Sequence, residues 1–392
     1  MERSRLNKNL LKEPTFNTSF QFNRESKKVV TIHVRRGIAT TLPSIIKVLN
    51  PDKCFVVCDA NVSRLYATKI VSSLQQYYPT YQIVHLPNEA NKNFSCLSNI
   101  SEEFFAKAGT SNSVIIALGG GSTGNVAGLF ASLAFRGIRL VHVPTTLLSQ
   151  LDSAVDVKQS INSTAQKNSI GSYMAPDMVI IDPAFLDSLG DRELTAGIGE
   201  AVKHALAQDL NFVEFLLDND LKDTQILESI IKKTISLKIQ HWQATSTIWN
   251  DTKKIERLTH LGHTTGKILE MQDIDYLTHG EAIAHGIAIE IQMSQLLGYV
   301  DQETVDTVYH TISALNLLYP LNHHYTAASI LSALYQNGDS PIYALLTELG
   351  NPLVKSRDVP KHIAAKSLAR HIEWFALSSE SGKPNFNKDL SI

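Results

Sequence analysis

The sequence predicts an α/β fold: a mostly parallel sheet covered by helices fills the first half, and a helical domain fills the second. Three observations point there. Six short apolar runs recur between Val29 and Asp182, spaced widely enough for helices to lie between them, which is how parallel strands are joined. One of these runs, VIIALG, ends in a glycine-rich turn, GGGSTGNVAG, that opens directly into a helical segment. Beyond Pro183 the apolar residues recur with the helical period instead.

Taken in order, residues 1–28 are polar and mixed in charge and form an N-terminal extension. The strands are VVTIHV near Val29, CFVVCD near Cys54, YQIVHL near Tyr81, VIIALG near Val114, LVHVP near Leu140 and MVIID near Met178. Between the last two lies a long polar segment, VPTTLLSQLDSAVDVKQSINSTAQKNSIGSYMAP, read as a functional loop whose interspersed apolar residues argue against disorder. A proline directly after the sixth strand separates the halves, giving a sheet domain over 29–182 and a helical domain over 183–392. The helices there are ELTAGIGEAVKHALAQDL, TQILESIIKKTISLKIQHW and HGEAIAHGIAIEIQMSQLLGYV.

Composition narrows the function classes. With 392 residues and 43% hydrophobic content the chain can bury a large core, more readily as two domains than one. A net charge of -2 supplies no attraction to nucleic acid or to a membrane, so neither is the expected partner. The three cysteines, Cys54, Cys58 and Cys96, are too few for a disulfide framework, and Cys54 and Cys58 fit strand packing. No run has the apolar core of a signal peptide or the length to span a bilayer, so a cytoplasmic protein is expected.

Gly119, Gly121 and Gly124 satisfy GxGxxG, in which missing Cβ atoms let backbone N–H groups approach a pyrophosphate at a helix N-terminus. The same cluster also serves as simple turn chemistry. In the second half, Glu200, His263 and His279 are a carboxylate and two imidazoles, a donor set for a catalytic divalent metal, with zinc the first choice and cobalt an alternative. Sequence distance does not bring them together. Lys203 lies three residues after Glu200, and Lys267 four after His263, so each lysine shares a helix face with a candidate ligand. An ordinary surface ion pair has the same spacing. His204, His285 and His310 are expected to be ordinary core or surface residues.

The motifs GGGSTGNVAG, FRGIRLVHVPTTLLSQLDSAVDVKQSIN, KNSIG, GIGEAVK, LGHTTGK and THGEAIAHG together resemble the dehydroquinate synthase superfamily, the sugar phosphate cyclases, in the same order from Val29 to Val354. The resemblance implies a Rossmann-like N-terminal domain, an α-helical metal- and substrate-binding C-terminal domain, NAD in the cleft between them, and a homodimer. It implies metal on Glu200, His263 and His279. It places NAD on Asp59, Asn61, Glu89, Lys92, Gly120, Gly121, Asn125, Thr145, Thr146 and Lys167. Asp152, Lys158, Lys203, Lys238 and His260 would line the carbohydrate and carry catalysis. Asn168, Lys267 and a partner subunit's copy of Arg136 would face the phosphate. The implied reaction is transient oxidation of a secondary alcohol by NAD, elimination of phosphate, return of the hydride, ring opening and intramolecular aldol addition to a carbocycle.

Asn125 with VKQSIN resembles the 2-deoxy-scyllo-inosose synthases of that superfamily, where dehydroquinate synthases usually carry aspartate at that position. Glucose 6-phosphate is therefore the expected substrate, with dehydroquinate synthesis or another cyclisation as the alternative. A metal-dependent NAD alcohol dehydrogenase such as glycerol dehydrogenase is the reading from a different class, and a noncatalytic descendant a further one. Three features depart from the family pattern. Lys267 replaces a histidine, His260 stands where asparagine or glutamate is usual, and the segment near Gly338 is shortened and lacks a lysine pair. The stretch HWQATSTIWNDTKK is insertion-like and reads equally as a surface loop.

Overall fold

The computed structural model describes residues 28–164, 166–244, 258–272, 276–322, 324–336, 340–352 and 354–381. The N-terminal extension before Lys28, most of the insertion-like stretch and the shortened turn at Gly338 lie outside them.

All six apolar runs are strands of one sheet. They are β1 (Thr31–Val34), β2 (Cys54–Asp59), β3 (Thr80–His85), β4 (Val114–Gly119), β5 (Arg139–Pro144) and, after a hairpin of β6 (Lys158–Ile161) and β7 (Ile170–Tyr173), β8 (Met178–Ile181). The order is β1-β8-β5-β4-β2-β3, with every neighbouring pair parallel. Both faces are covered, so the strands are apolar on both sides. Cys54, Val56 and Cys58 pack into the cluster on one face, and Phe55 and Val57 into the cluster on the other. The three cysteines are free and buried, and desolvation pushes the Cys54 thiol up to about 12.

The chain leaves β2 toward the β3 edge and leaves β4 toward β5, so the C-terminal ends of β2 and β4 flank a topological switch point. Parallel sheets open a crevice there. Asp59 and Gly119 sit at those two ends.

The polar segment read as a loop is more ordered than its composition suggests. It holds the short helix Leu147–Leu151 and the antiparallel hairpin β6–β7. Strand alternation is hidden because β6 buries polar groups: Ser160 N donates to Asn125 Oδ1 at 3.1 Å, and Gln159 Nε2 donates to the Met174 carbonyl at 3.1 Å. A second unanticipated element is the antiparallel pair β9 (Ile342–Leu346) and β10 (Val354–Asp358) within the helical half. Four buried residues of β9 form an apolar run that periodicity cannot assign to strand or helix.

The helical half contains Asp191–Gln208, which carries Glu200, together with Thr224–Ala244, His263–Gln272 and His279–Leu296. Val179 and Ile181 of β8 share one apolar cluster with Ile198, Ala201, Val202 and Ala205 of the Glu200 helix, so the two halves have a common core. No helix among the described residues is long and apolar enough to cross a membrane.

Glycines let the metal-candidate helices touch backbone to backbone. A Cβ on Gly199 would lie 2.6 Å from the Gly280 carbonyl oxygen, and one on Gly262 2.7 Å from that of Ile283. Gly280 in turn abuts the Ala196 carbonyl. We expect Gly280→Ala to force these helices apart and lower stability by about 3 kcal/mol or more, as overpacking against immovable backbone does. Urea unfolding with an unchanged midpoint would show that the helices adjust freely.

Candidate metal centre and cofactor cleft

Glu200 lies mid-helix, whereas His263 and His279 are each the first residue of a helix. Both helix starts are anchored. Thr278 and Glu281 form a capping box before His279, and Arg192 of the Glu200 helix donates to both Glu281 carboxylate oxygens at 2.8 Å. The His263 helix receives its cap from another helix: Glu290 accepts from Gly262 N at 2.7 Å and from Thr265 N at 3.1 Å. Burial raises Glu290 to about 8 in spite of these donors.

These anchors bring the three expected ligands together. His263 Nε2 and His279 Nε2 each lie 3.6 Å from Glu200 Oε1, and the three donor atoms fall within 4.8 Å of one another. Metal bonds of zinc to nitrogen or oxygen at tetrahedral angles would set donors about 3.4 Å apart. Glu200 Oε1 is fully buried with no hydrogen-bond partner, while Oε2 accepts from Lys203 Nζ. A buried carboxylate oxygen without a partner is costly, and a cation answers that cost. The outer ring nitrogens are committed elsewhere: His263 Nδ1 bonds the Leu261 carbonyl at 3.0 Å, and His279 Nδ1 bonds Glu270 at 3.2 Å. Such partners turn both Nε2 atoms toward the centre.

The two imidazoles differ electrically. Burial, followed by Lys203, holds His263 well below the ordinary histidine value, so it is neutral. Burial also opposes charge on His279, but the adjoining carboxylates of Glu200 and Glu270 outweigh it and raise the group to about 10.

Three lysines converge beside this cluster. Lys203 is buried, Lys267 is solvent-accessible on the His263 helix, and Lys158 starts β6. Desolvation, then Lys158 and Lys203, draw Lys267 below the usual lysine range. Lys238 is differently engaged. Its Nζ lies 2.7 Å from both the carbonyl and Oδ1 of Asp152 and 3.4 Å from Asp156 Oδ2, with Trp242 alongside at 4.9 Å. Burial disfavours its charge, yet Asp152 and Asp156 keep it protonated, and the ammonium fixes Asp152 at the cleft wall. His260 is half-buried at the approach to the His263 helix.

The residues expected to hold a dinucleotide gather along the C-terminal edge of the sheet. Asp59 Oδ1 accepts from Asn61 N at 2.8 Å and Val62 N at 3.0 Å. Gly120 caps the helix Gly121–Leu133, and Thr145 N reaches back to the Gly119 carbonyl at 3.0 Å. Thr146 caps the next helix, and its methyl lies 3.2 Å from where a Cβ on Gly120 would stand. Glu89 accepts from Ser122 Oγ and from Asn162 Nδ2 at 3.0 Å, and lies 3.5 Å from Lys92. Lys92 bonds the Asn168 side-chain oxygen, and Lys167 pairs with Glu270 at 2.9 Å. Asn125 donates to the Gly121 carbonyl at 2.9 Å while accepting from Ser160.

Arg136 stands apart. It follows the C-terminal end of the 13-residue helix that begins at Gly121, roughly 20 Å along it, and is exposed with a positive φ of 67°. Sequence reading missed Glu270, Asp156 and Glu290. Glu270 was within reach, since His263, Lys267 and Glu270 at i, i+4 and i+7 form one helix stripe. His285 is hydrogen-bonded in the core to His371 and the Tyr319 carbonyl, His204 is buried against Gln208, and His310 is exposed.

A parallel sheet with a glycine loop at its switch point, facing a buried Glu-His-His cluster on helices, defines a two-part protein of the dinucleotide-and-metal type. The chain belongs to the 3-dehydroquinate synthase family: residues 82–196 match the model of its N-terminal part and residues 197–338 that of its C-terminal part. It is 36% identical over 255 residues to a 2-deoxy-scyllo-inosose synthase of Streptomyces paromomycinus, covering 64% of this chain and 65% of that protein, a little under two thirds of its length. It is 32% identical over 272 residues to a 3-dehydroquinate synthase of Alkaliphilus metalliredigens, covering 69% and 76%. The crystal structure of 2-deoxy-scyllo-inosose synthase complexed with carbaglucose-6-phosphate, NAD+ and Co2+ superposes with a TM-score of 0.79 at 27% identity, covering 87% of this chain and 96% of that one.

Two outcomes are expected at the centre. His263→Ala should abolish tight Co2+ or Zn2+ binding while NAD affinity, measured by calorimetry, stays within a few-fold, because the cofactor edge and the donor cluster are built from different halves. Retained metal affinity would remove His263 from the donor set. The metal-free protein keeps a proton on His279 below about pH 10, and a metal needs that nitrogen free. Near pH 7 each bound ion should therefore release about one proton, and affinity should rise about tenfold per pH unit until that value is reached. Calorimetric heats that do not depend on the buffer's own protonation enthalpy would show His279 already neutral.

Proposed function

We propose that this protein is an NAD- and divalent-metal-dependent sugar phosphate cyclase of the inosose-synthase type, converting glucose 6-phosphate to 2-deoxy-scyllo-inosose. The observation that carries the reading is the partnerless Glu200 carboxylate oxygen between two imidazole nitrogens, beside three converging lysines and below the glycine-loop edge of the sheet. When bound, NAD would take up and return a hydride, and the divalent ion, zinc or cobalt, would polarise the substrate oxygens it faces.

The chain's own groups supply the rest. Lys203, held on Glu200, stabilises negative charge developing on carbohydrate oxygen. Asp152, oriented by Lys238, accepts hydrogen bonds from sugar hydroxyls. Lys158 lines the carbohydrate, Lys267 and Asn168 face the phosphate, to which Lys267 offers positive charge, and the departing phosphate can itself take the proton. Asp59, Asn61, Glu89, Lys92, Gly120, Gly121, Thr145, Thr146 and Lys167 would cradle NAD. Asn125 with VKQSIN resembles the inosose-synthase pattern, which favours that type over dehydroquinate synthesis. The homodimer belongs to the same proposal. Leu133 and Phe135 are exposed beside Arg136, remote from their own site, so a second copy would cover them and receive that arginine. Free, buried cysteines suit a cytoplasmic location.

The metal-loaded protein with NAD and glucose 6-phosphate should release phosphate without accumulating NADH, and NMR should show a cyclitol ketone. Dehydroquinate from the seven-carbon precursor would favour the sister activity, and net NADH a dehydrogenase. Lys267→Ala should raise KM for the sugar phosphate about tenfold or more, the scale of a lost charge-assisted bond, and Lys267→His should largely restore it. An unchanged KM removes Lys267 from phosphate binding.

A further inference from the structure

Glu270 is assigned nothing by the reading above, yet it touches both halves of the site. It lies on the His263 helix, two turns beyond His263, with its carboxylate mostly buried. One oxygen, Oε2, accepts from His279 Nδ1 at 3.2 Å, and the other, Oε1, accepts from Lys167 Nζ at 2.9 Å. Lys167 belongs to the turn of the β6–β7 hairpin, in the sheet half. From that turn the bonding continues: Asn168 accepts from Lys92, Lys92 pairs with Glu89, and Glu89 accepts from Ser122 in the glycine loop. Burial opposes its charge, but His279 and Lys167 hold Glu270 at about 2, so it is ionised.

We propose that Glu270 is a positioning residue that couples the metal centre to the β6–β7 hairpin, gripping His279 with one carboxylate oxygen and Lys167 with the other. The inference rests on the metal reading of Glu200, His263 and His279. With an ion on Nε2, His279 retains the Nδ1–H bond to Glu270, so the carboxylate stays oriented and Lys167 stays clamped. Without the ion the imidazole keeps its Nδ1 bond to Glu270 but loses the anchor at Nε2, where only Glu200 Oε1 remains at 3.6 Å, so the ring and the clamp it shares are held less firmly. Replacement by glutamine separates the two grips: the amide oxygen can still accept from His279, whereas the NH2 group then faces the Lys167 ammonium.

The test uses the full chain with Co2+ alone, reading metal affinity from the Co2+ absorption spectrum against a chelator and hairpin order from amide exchange by mass spectrometry. In the wild type, Co2+ should slow exchange across residues 158–173. Glu270→Ala should bind Co2+ about 10- to 100-fold more weakly, as loss of a partner behind a metal-bound histidine does. Glu270→Gln and Lys167→Met should still bind Co2+ at saturating concentration, with its spectrum, but lose the slowed exchange. Wild-type exchange in those two variants, or wild-type affinity in Glu270→Ala, overturns the coupling while leaving the metal reading intact. A wild-type protein that binds no Co2+ overturns both. Failure of phosphate release bears only on the proposed reaction, because neither measurement involves NAD or sugar phosphate.

Discussion

Three helix backbones meet where the candidate metal donors converge, and each contact contains a glycine. Gly199 precedes Glu200, Gly262 precedes His263 and Gly280 follows His279, so the residue beside each donor is one whose missing Cβ allows the neighbouring backbone to approach. Helices separated by ordinary side chains stand about 8–10 Å apart, and here the glycines let the backbones come into direct contact. The donors, each histidine nitrogen 3.6 Å from Glu200 Oε1, sit where these backbones meet.

Given that closeness, electrostatics decides the character of the site. Glu200 is fully buried with charge on both sides: Lys203 holds one oxygen and the imidazoles face the other. Neither histidine relies on Glu200 alone, since a backbone carbonyl fixes one and Glu270 the other. This asymmetry makes one imidazole neutral and the other cationic in the absence of an ion. It also makes metal binding a proton exchange, linking the centre to pH.

The second half of the site is a sheet edge whose polar groups answer one another. Glu89, Lys92, Asn162 and Asn168 form a bonded series under the glycine loop, and Asn125 ties the helix start to β6. These bonds tie the glycine loop to the residues around it at the switch point of the sheet. The shared apolar cluster around Val179, Ile181 and Ile198 packs this half against the metal helices, and Lys167 reaches Glu270 between the two sets of groups.

Much of this was legible in the residues. The six strands announced themselves as apolar runs because both sheet faces are buried, and the donor types, their lysine neighbours and the glycine loop stood at helical or turn spacings. The β6–β7 hairpin and β9 were not legible, since one buries polar side chains by pairing them and the other is an apolar run without period. Spacing placed Glu270 on the His263 stripe, but its role was hidden, because its partners, His279 and Lys167, are 9 and 103 residues away. By itself, the sequence determined which chemical groups are available and which local elements carry them, because propensity and periodicity act over a few residues. Only the tertiary structure decided which groups share a proton or can share an ion, because those interactions depend on distances set by packing between elements remote in the chain.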